Sequence, residues 1–467
     1  MNGANVLFKM RIVFINPSLR PYAKRRHLPV GLAYVMAAVK KSGFKFDLID
    51  MDVNDLSMDD LTGILSRDIY DVYAFGCIVT GFRFARQISE IIKNTNPRAT
   101  IIAGNSVASS IPELLLKNIK VDIAVLGESD ITIVELLEAL KSGASLSGVR
   151  GIAFKQDGKV VFTPSRPMVS DIDILGFPDW RMFDLEKYNK YGHINANCFS
   201  TDKALLYPLN AARGCPFNCS FCYHVFKGQK YRKYSEERVM DEIKRLAGEY
   251  GCNYISFWDE LTFSTIKSVR DMVMQIRGLD FKIGWEATSR GNLFRKGHLD
   301  LIKEMKDSGC ENISFSLENA DPRILAFMNK KMSVEQFIEQ TKVLWSGGVV
   351  PLTSVIFGYP QETPESIKKT IKVCEECNIF PSVGFLLPLP GTHIYEWAKE
   401  HNFITNEIEY LERIGDRQDF HINLTSMPDD EFVNIVESEL QTLAHKQGLK
   451  LDSVFKTTTY QKPKNVS

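Results

Sequence analysis

The sequence predicts an α/β chain in three parts: a doubly wound parallel sheet, a partial (β/α)6 barrel, and a small, mostly helical C-terminal domain. Three observations carry this. Short apolar runs alternate with amphipathic helical patterns in two separate series. The runs of the first series are almost continuously apolar, as strands covered by helices on both faces must be. Between the two series lies a stretch of weak periodicity that reads as a connection.

In the first series, Arg11 to Asn16 reads as a strand, Gly31 to Lys41 as a helix and Phe46 to Asp50 as the next strand. Further strands are expected at Val72 to Cys77, Thr100 to Gly104 and Asp122 to Gly127. A ligand of such a sheet sits beyond the carboxyl ends of its strands. Thr80-Gly81, Gly104-Asn105-Ser106 and Gly127-Glu128-Ser129 fall there and form the candidate pocket, although glycines after strands also serve plain turns. Val149 to Thr163 looks like a hairpin turning at Asp157-Gly158, and Pro164 to Pro208 like a linker.

The second series runs through Ala204 to Pro208, Tyr254 to Trp258, Lys282 to Glu286, Asn312 to Leu317, Leu352 to Gly358 and Ser382 to Leu387. Amphipathic helices separate these strands; Val239, Ile243 and Leu246 share one face of Ser235 to Tyr250. Six units suggest an open barrel rather than a closed eightfold one. Thr363-Pro364 suits the N-cap and first turn of the helix after the fifth strand. The expected domains are 1–147, a hairpin and linker over 148–203, the barrel over 204–400, and a helical domain over 401–467 whose polar end, Thr457 to Ser467, reads as disordered.

Composition narrows the function. In 467 residues, 57 basic and 57 acidic side chains cancel, so no long-range field favours nucleic acid or anionic lipid. Neither a signal peptide nor a run of about 20 apolar residues is present, so a cytoplasmic enzyme is expected. Nine cysteines in such a chain argue for reduced thiols or metal ligands rather than a disulfide framework.

Cys215, Cys219 and Cys222 stand at CxxxCxxC spacing within Arg213 to His224, directly after the first barrel strand. Three thiolates suit an iron–sulfur cluster with one iron open to a further ligand. Zinc is the competing metal; it wants a fourth Cys or His, and His224 stands too close to the loop to close a tetrahedron comfortably. Cys77, Cys198, Cys252, Cys310, Cys374 and Cys377 form no second motif and read as buried thiols.

With Phe221 at the aromatic position of CxxxCxΦC, the chain resembles the radical S-adenosylmethionine (SAM) superfamily over most of residues 11 to 430. The resemblance implies a [4Fe–4S] cluster, SAM chelated to the open iron, and reductive cleavage to a 5′-deoxyadenosyl radical. It places the methionine ammonium at Glu260, with Asp259 as rival, after the second strand. Ser289 and Arg290 after the third strand, and Ser316 and Glu318 after the fourth, resemble the segments that hold the carboxylate and the ribose; a guanidinium pairs with a carboxylate, and a carboxylate accepts from a diol. Tyr223, His224, Tyr359 and His393 are candidate hydrogen donors by position.

The Rossmann-like first domain resembles the cobalamin-binding domain of one radical SAM subfamily. In that case Thr80, Gly104, Asn105, Gly127 and Glu128 line its pocket. Methylation of unactivated carbon or phosphorus is that subfamily's commonest reaction, and a carbon of a natural product or metabolite is the expected acceptor. Two departures stand out. Asn16 to Pro21 contains no Asp-x-His-x-x-Gly, so no histidine ligand to cobalt is expected; Gly104-Asn105-Ser106 puts side chains at a usual glycine position, which would crowd the corrin or its tail. The alternative is a cobalamin-independent dehydratase, epimerase or cyclase, for example on an aminosugar, with a vestigial first domain. A transfer-RNA methylthiolating enzyme would need a second cluster motif and a basic module, and the sequence has neither. The expected partners are a small-molecule substrate and a flavodoxin- or ferredoxin-type reductant. Gly415 to Thr425, with Arg417 and Asp419, is expected to cover the barrel mouth.

Overall fold

A computed structural model describes residues 10–21, 26–191, 204–451 and 453–456; Cys198, most of the amino-terminal segment and the polar carboxyl end lie outside the described residues. The chain divides into two compact units. One comprises Met1–Ser170, Ile174–Tyr191 and Asn406–Ile414, and the other Asp171–Asp173, Gly192–Thr405 and Gly415–Ser467.

In the first unit, β1 (Ile12–Asn16), β2 (Asp47–Asp50), β3 (Val72–Gly76), β4 (Thr100–Gly104) and β5 (Ile123–Val125) form a parallel sheet in the order β2-β1-β3-β4-β5. That is a doubly wound order with its topological switch between β1 and β3. Val13, Ile15, Ile101 and Ala103 are fully buried, as a two-sided cover by helices demands. The hairpin β6 (Ile152–Gln156) and β7 (Lys159–Phe162) turns at Asp157-Gly158, where both residues take positive φ, and extends the sheet antiparallel to β5. Helix Glu407–Arg413, far along the chain, also packs in this unit, burying Tyr410 and Leu411 and pairing Glu412 with Arg86 at 2.7 Å.

The second unit carries β8 (Leu206–Leu209), the short antiparallel pair β9 (Ala212–Arg213) and β10 (Arg232–Lys233), then β11 (Tyr254–Phe257), β12 (Gly284–Thr288), β13 (Cys310–Ser314), β14 (Val350–Leu352), β15 (Ser354–Phe357) and β16 (Ser382–Phe385). The parallel order is β8-β11-β12-β13-β14, and β15 pairs with β16. The expected fifth strand is thus two strands broken at Thr353, a buried residue whose Oγ1 accepts from Leu317 N and whose carbonyl accepts from Ser382 N. Glu318 bridges Val355 and carries the curvature across the break. The covering helices start where their sequence says they should: Thr265, Ser333 and Thr363 each build a reciprocal capping box, Thr363 with Pro364 following. No described helix is long and apolar enough to cross a membrane.

Candidate active site

Strand β8 delivers the chain to the cysteine loop at the carboxyl end of the barrel sheet. Asp259, just past β11, is fully buried there; its Oδ1 accepts from Ala211 N (2.9 Å), Ala212 N (3.0 Å) and Asn210 Nδ2 (3.2 Å). Burial pushes its carboxyl up to about 7, against those hydrogen bonds. The β9–β10 pair closes the neck, and Gly214 leaves it at φ 89°, where an added Cβ would sit 3.4 Å from Phe226 Cβ. Segments from elsewhere in the barrel fix the loop itself. Asn329 Nδ2 donates to Asn218 O (2.8 Å), Ser220 N donates to Met328 O (2.9 Å), and Ile394 N donates to Ser220 O (3.1 Å).

The three thiols are thereby held on one pinned loop. Burial pushes the Cys215 thiol up and the Cys222 thiol up to about 12, and the neighbouring thiols push both further the same way. Three thiolates here therefore call for cationic charge among them, which iron supplies. Among the described residues no three His, Cys, Asp or Glu side chains converge as they would on a single ion. The donor set, three sulfurs without a fourth ligand, fits a four-iron cube with one open iron.

Around the loop the strand ends bring the expected residues together. Arg290 stacks on Phe217, its guanidinium carbon 4.0 Å from the ring centroid, and points Nη1 at Cys219 Sγ (3.7 Å); its Nε and Nη2 are buried and have no acceptor among the described residues. Glu260 is exposed, with Oε2 accepting from Gly214 N (3.1 Å) and no hydrogen bond to Oε1 among the described residues. Glu318 is buried in the left-handed region at φ 63°; Lys330 Nζ donates to its Oε1 at 2.8 Å, and its Oε2 has no partner among the described residues. Lys330 also lies over Phe221, 5.8 Å from the ring centroid. Ser289 is buried and receives Gln340 Nε2 (3.4 Å), while Ser316 Oγ accepts from Ser354 Oγ (2.9 Å). Orphaned polar atoms on Arg290 and Glu318, two cationic and one anionic in character, fit a zwitterionic ligand with a sugar diol.

The candidate hydrogen donors separate. Tyr359 is fully buried, its phenol pushed well above its ordinary value by burial, with its ring edge-on to Phe221. His393 is exposed and packs its ring edge-on against Phe327. Tyr223 and His224 are half-buried on the cysteine loop, and burial lowers the His224 imidazole below its ordinary value.

Several contributors had no motif to announce them. Lys330 sits between Asn329 and Lys331, both at positive φ, and neutralises Glu318. Glu362 accepts from both Asn319 Nδ2 and Gly358 N and also binds Ser366 Oγ, fixing the loop after β15. Gln340 accepts Leu293 N and Phe294 N on Oε1 and donates to Arg290 O (2.8 Å), fixing the backbone that presents Arg290. Its sequence signal was a polar residue in the buried stripe of helix Val334–Ser346, between Phe337 and Leu344.

In the first unit the strand-end loops form the crevice of a doubly wound sheet. Thr80 is half-buried in a short 3-10 turn, and Gly127 takes φ 69° while its N–H donates to Ser109 Oγ (2.9 Å). Glu128 is buried, its Oε2 accepting from Val169 N (2.9 Å), so that it clamps the chain after the hairpin. Of the two side chains expected to crowd the crevice after Gly104, one is engaged by the backbone of a neighbouring loop. Ser106 is buried with its hydroxyl accepting from Val79 N (2.8 Å), and only Asn105, at φ 67°, stands exposed.

Residues 209–374 match the radical SAM superfamily, and residues 22–137 match the B12 binding domain. The chain is 30% identical, over 85% of its own length and 84% of the relative's, to an uncharacterized methyltransferase of Pyrococcus horikoshii. It is 28% identical, over 79% of its own length and 66% of the relative's, to the anaerobic magnesium-protoporphyrin IX monomethyl ester cyclase of Rubrivivax gelatinosus. Its fold matches that of a radical SAM methyltransferase from Kitasatospora setae solved with cobalamin and a [4Fe–4S] cluster, with a TM-score of 0.66 at 17% identity over 85% of this chain and 79% of that one.

Proposed function

The chain belongs to the radical SAM superfamily, among members with an N-terminal B12-binding domain, and from that premise we propose that it methylates an unactivated carbon of a small-molecule substrate. Its cofactors are a [4Fe–4S] cluster, SAM and cobalamin, so the first domain is not a vestigial scaffold. When bound, the cluster and SAM supply a carbon-centred radical and cobalamin supplies a methyl carrier.

The protein's part is to bind, orient and shield. Cys215, Cys219 and Cys222 hold three irons. Arg290 offers Nε and Nη2 to the methionine carboxylate, Glu260 offers Oε1 to the ammonium, and Glu318 offers Oε2 to the ribose hydroxyls. Asp259 and Gln340 are positioning residues; one pins the neck of the cysteine loop and the other the backbone of Arg290. The observation that carries this reading is that buried atoms left without partners among the described residues, Arg290 Nε and Nη2 and Glu318 Oε2, belong to strand ends flanking one loop of three thiols. Methyl transfer rather than ring closure is favoured by the 30% identical relative, a methyltransferase matched over most of its length.

The test is anaerobic reconstitution with iron, sulfide and hydroxocobalamin, then turnover with SAM labelled with deuterium in its methyl group. About four irons and one cobalt per chain are expected, with label in the product. Cobalt at stoichiometry with an unlabelled, ring-closed or dehydrated product would refute methyl transfer and favour chemistry of the cyclase kind.

A further inference from the structure

Side chains alternate across each barrel strand, so the inner face can be traced residue by residue. Asn312, Ser314 and Ser316 lie on it, because Asn312 Nδ2 reaches Glu286 Oε2 on the neighbouring strand (3.2 Å) and Ser316 Oγ meets Ser354 Oγ (2.9 Å), whereas Phe315 between them packs outward on Phe337. On the next two strands Ser354 aligns with Ser382, and Ile356 with Gly384. Gly384 therefore faces inward, while Phe385 faces out against Phe432 of the covering helix Asp429–Lys446.

The segment after Gly415 runs along the free edge of β16, where Phe385 N donates to Arg417 O at 2.7 Å. From there the Arg417 side chain turns inward. A Cβ built on Gly384 would lie 3.2 Å from Arg417 Cδ, 3.4 Å from Cγ and 3.5 Å from Nε, so the glycine is what seats this arginine on the inner face. Its guanidinium, half-buried, makes no ion pair or hydrogen bond among the described residues, and acids on its own segment and on the inner face are engaged elsewhere. Asp419 pairs with Lys456 at 2.5 Å, and Glu286 on the inner face already accepts from Ser256 Oγ, Tyr254 OH and Asn312 Nδ2. A forked cation with five donors, held at the wall of a reaction chamber without an acceptor among the described residues, matches a carboxylate or phosphoryl group on a ligand.

We propose that Arg417, seated over Gly384, is the substrate anchor of this enzyme and that the substrate carries an oxyanion. The proposal rests on the reading of the barrel as the reaction chamber, but its test needs neither cobalt nor turnover, so the two can fail separately.

The cluster-reconstituted full chain with SAM is treated with phenylglyoxal, which modifies guanidinium groups, and the adducts are followed by peptide mass spectrometry. Arg417 should react readily, and excess benzoate or phenylphosphonate should slow it about tenfold, as a charge-assisted fork would. Benzamide, the neutral counterpart, should have no effect, and Arg181 and Arg323, paired with Asp179 and Asp321, should be indifferent to all three. Protection by benzoate alone assigns a carboxylate and by phenylphosphonate alone a phosphoryl group; protection by both supports the shared oxyanion chemistry. The proposal is overturned if neither protects, if benzamide protects equally, or if SAM alone blocks the reaction, which would place Arg417 in the cofactor site. Gly384→Ala should leave Arg417 reactive but no longer protected; retained protection there would overturn the seating.

Discussion

Lys330→Met isolates the part of the site that rests on a buried charge. The Lys330 and Glu318 side chains are 8% and 5% exposed and meet at 2.8 Å. At that separation two unit charges attract by about 6 kcal/mol at an effective dielectric of about 20, which offsets much of the desolvation both ions suffer. Methionine fills similar volume and keeps the contact with Phe221, but it strands the Glu318 carboxylate. A loss of about 3 to 5 kcal/mol follows. Adding Glu318→Gln removes the stranded charge, so the double variant should recover most of that loss. The assay is urea unfolding of Lys330→Met, Glu318→Gln and the double variant followed by tryptophan fluorescence, with equilibrium dialysis of SAM on reconstituted samples. Lys330→Met should also weaken SAM binding, because Glu318 moves or takes up a proton when its partner goes. If Lys330→Met lies within about 1 kcal/mol of the wild type and the double variant shows no coupling, the pair is not a stabilising feature and the reasoning fails.

Three other outcomes follow from the same geometry. Cys215→Ala, Cys219→Ala, Cys222→Ala should lose about four irons per chain and all reductive cleavage of SAM; iron retained at the wild-type level would remove the cluster from this loop. Glu362 is raised by burial from its ordinary 4.5 to about 7, so the native state binds its proton more tightly than the unfolded state, and stability falls as pH rises between those values. Glu362→Gln should therefore gain about 3 kcal/mol on the wild type between pH 4 and pH 8 in urea unfolding, and an unchanged difference would show that the carboxyl is not buried as described. Gly81→Ala would place a Cβ 2.2 Å from Cys77 Sγ and 2.8 Å from Leu19 Cδ2. That overpacking should cost about 1 to 3 kcal/mol in the first unit; a neutral effect would mean the turn relaxes freely.

What was legible in the sequence was whatever repeats locally. Strand runs such as Val72–Gly76 and the Cys215, Cys219, Cys222 spacing announce themselves within a few residues, and strand-end acids and the arginine after the third strand follow once the strands are placed. The division of labour between Asp259 and Glu260 was not legible, because it depends on which side chain meets the backbone of residues 211 and 212, contributed from nearly fifty residues away. Lys330 and Glu362 are ordinary polar letters of loops, and Gln340 a single polar letter in a buried helix stripe; their roles are set by partners at Glu318, Asn319 and Arg290. The engagement of Ser106 after Gly104 was hidden for a related reason. Its hydroxyl satisfies the Val79 N–H of another loop. Arg417 was read as part of a cover, and only the missing side chain at Gly384 shows where it points.

The return of helix Glu407–Arg413 to the first unit has a consequence for how the chain is made. Everything else in that unit lies within residues 1 to 191, yet the surface that receives Tyr410 and Leu411, and the partner of Arg86, wait for more than two hundred further residues to be synthesised. Domains tend to fold in the order they emerge from the ribosome. Here the first to emerge is finished almost last, so a fragment ending before residue 406 would expose apolar surface on the helix Phe82–Thr95 side, and isolating the first unit by a single cut is ruled out by the path of the chain itself.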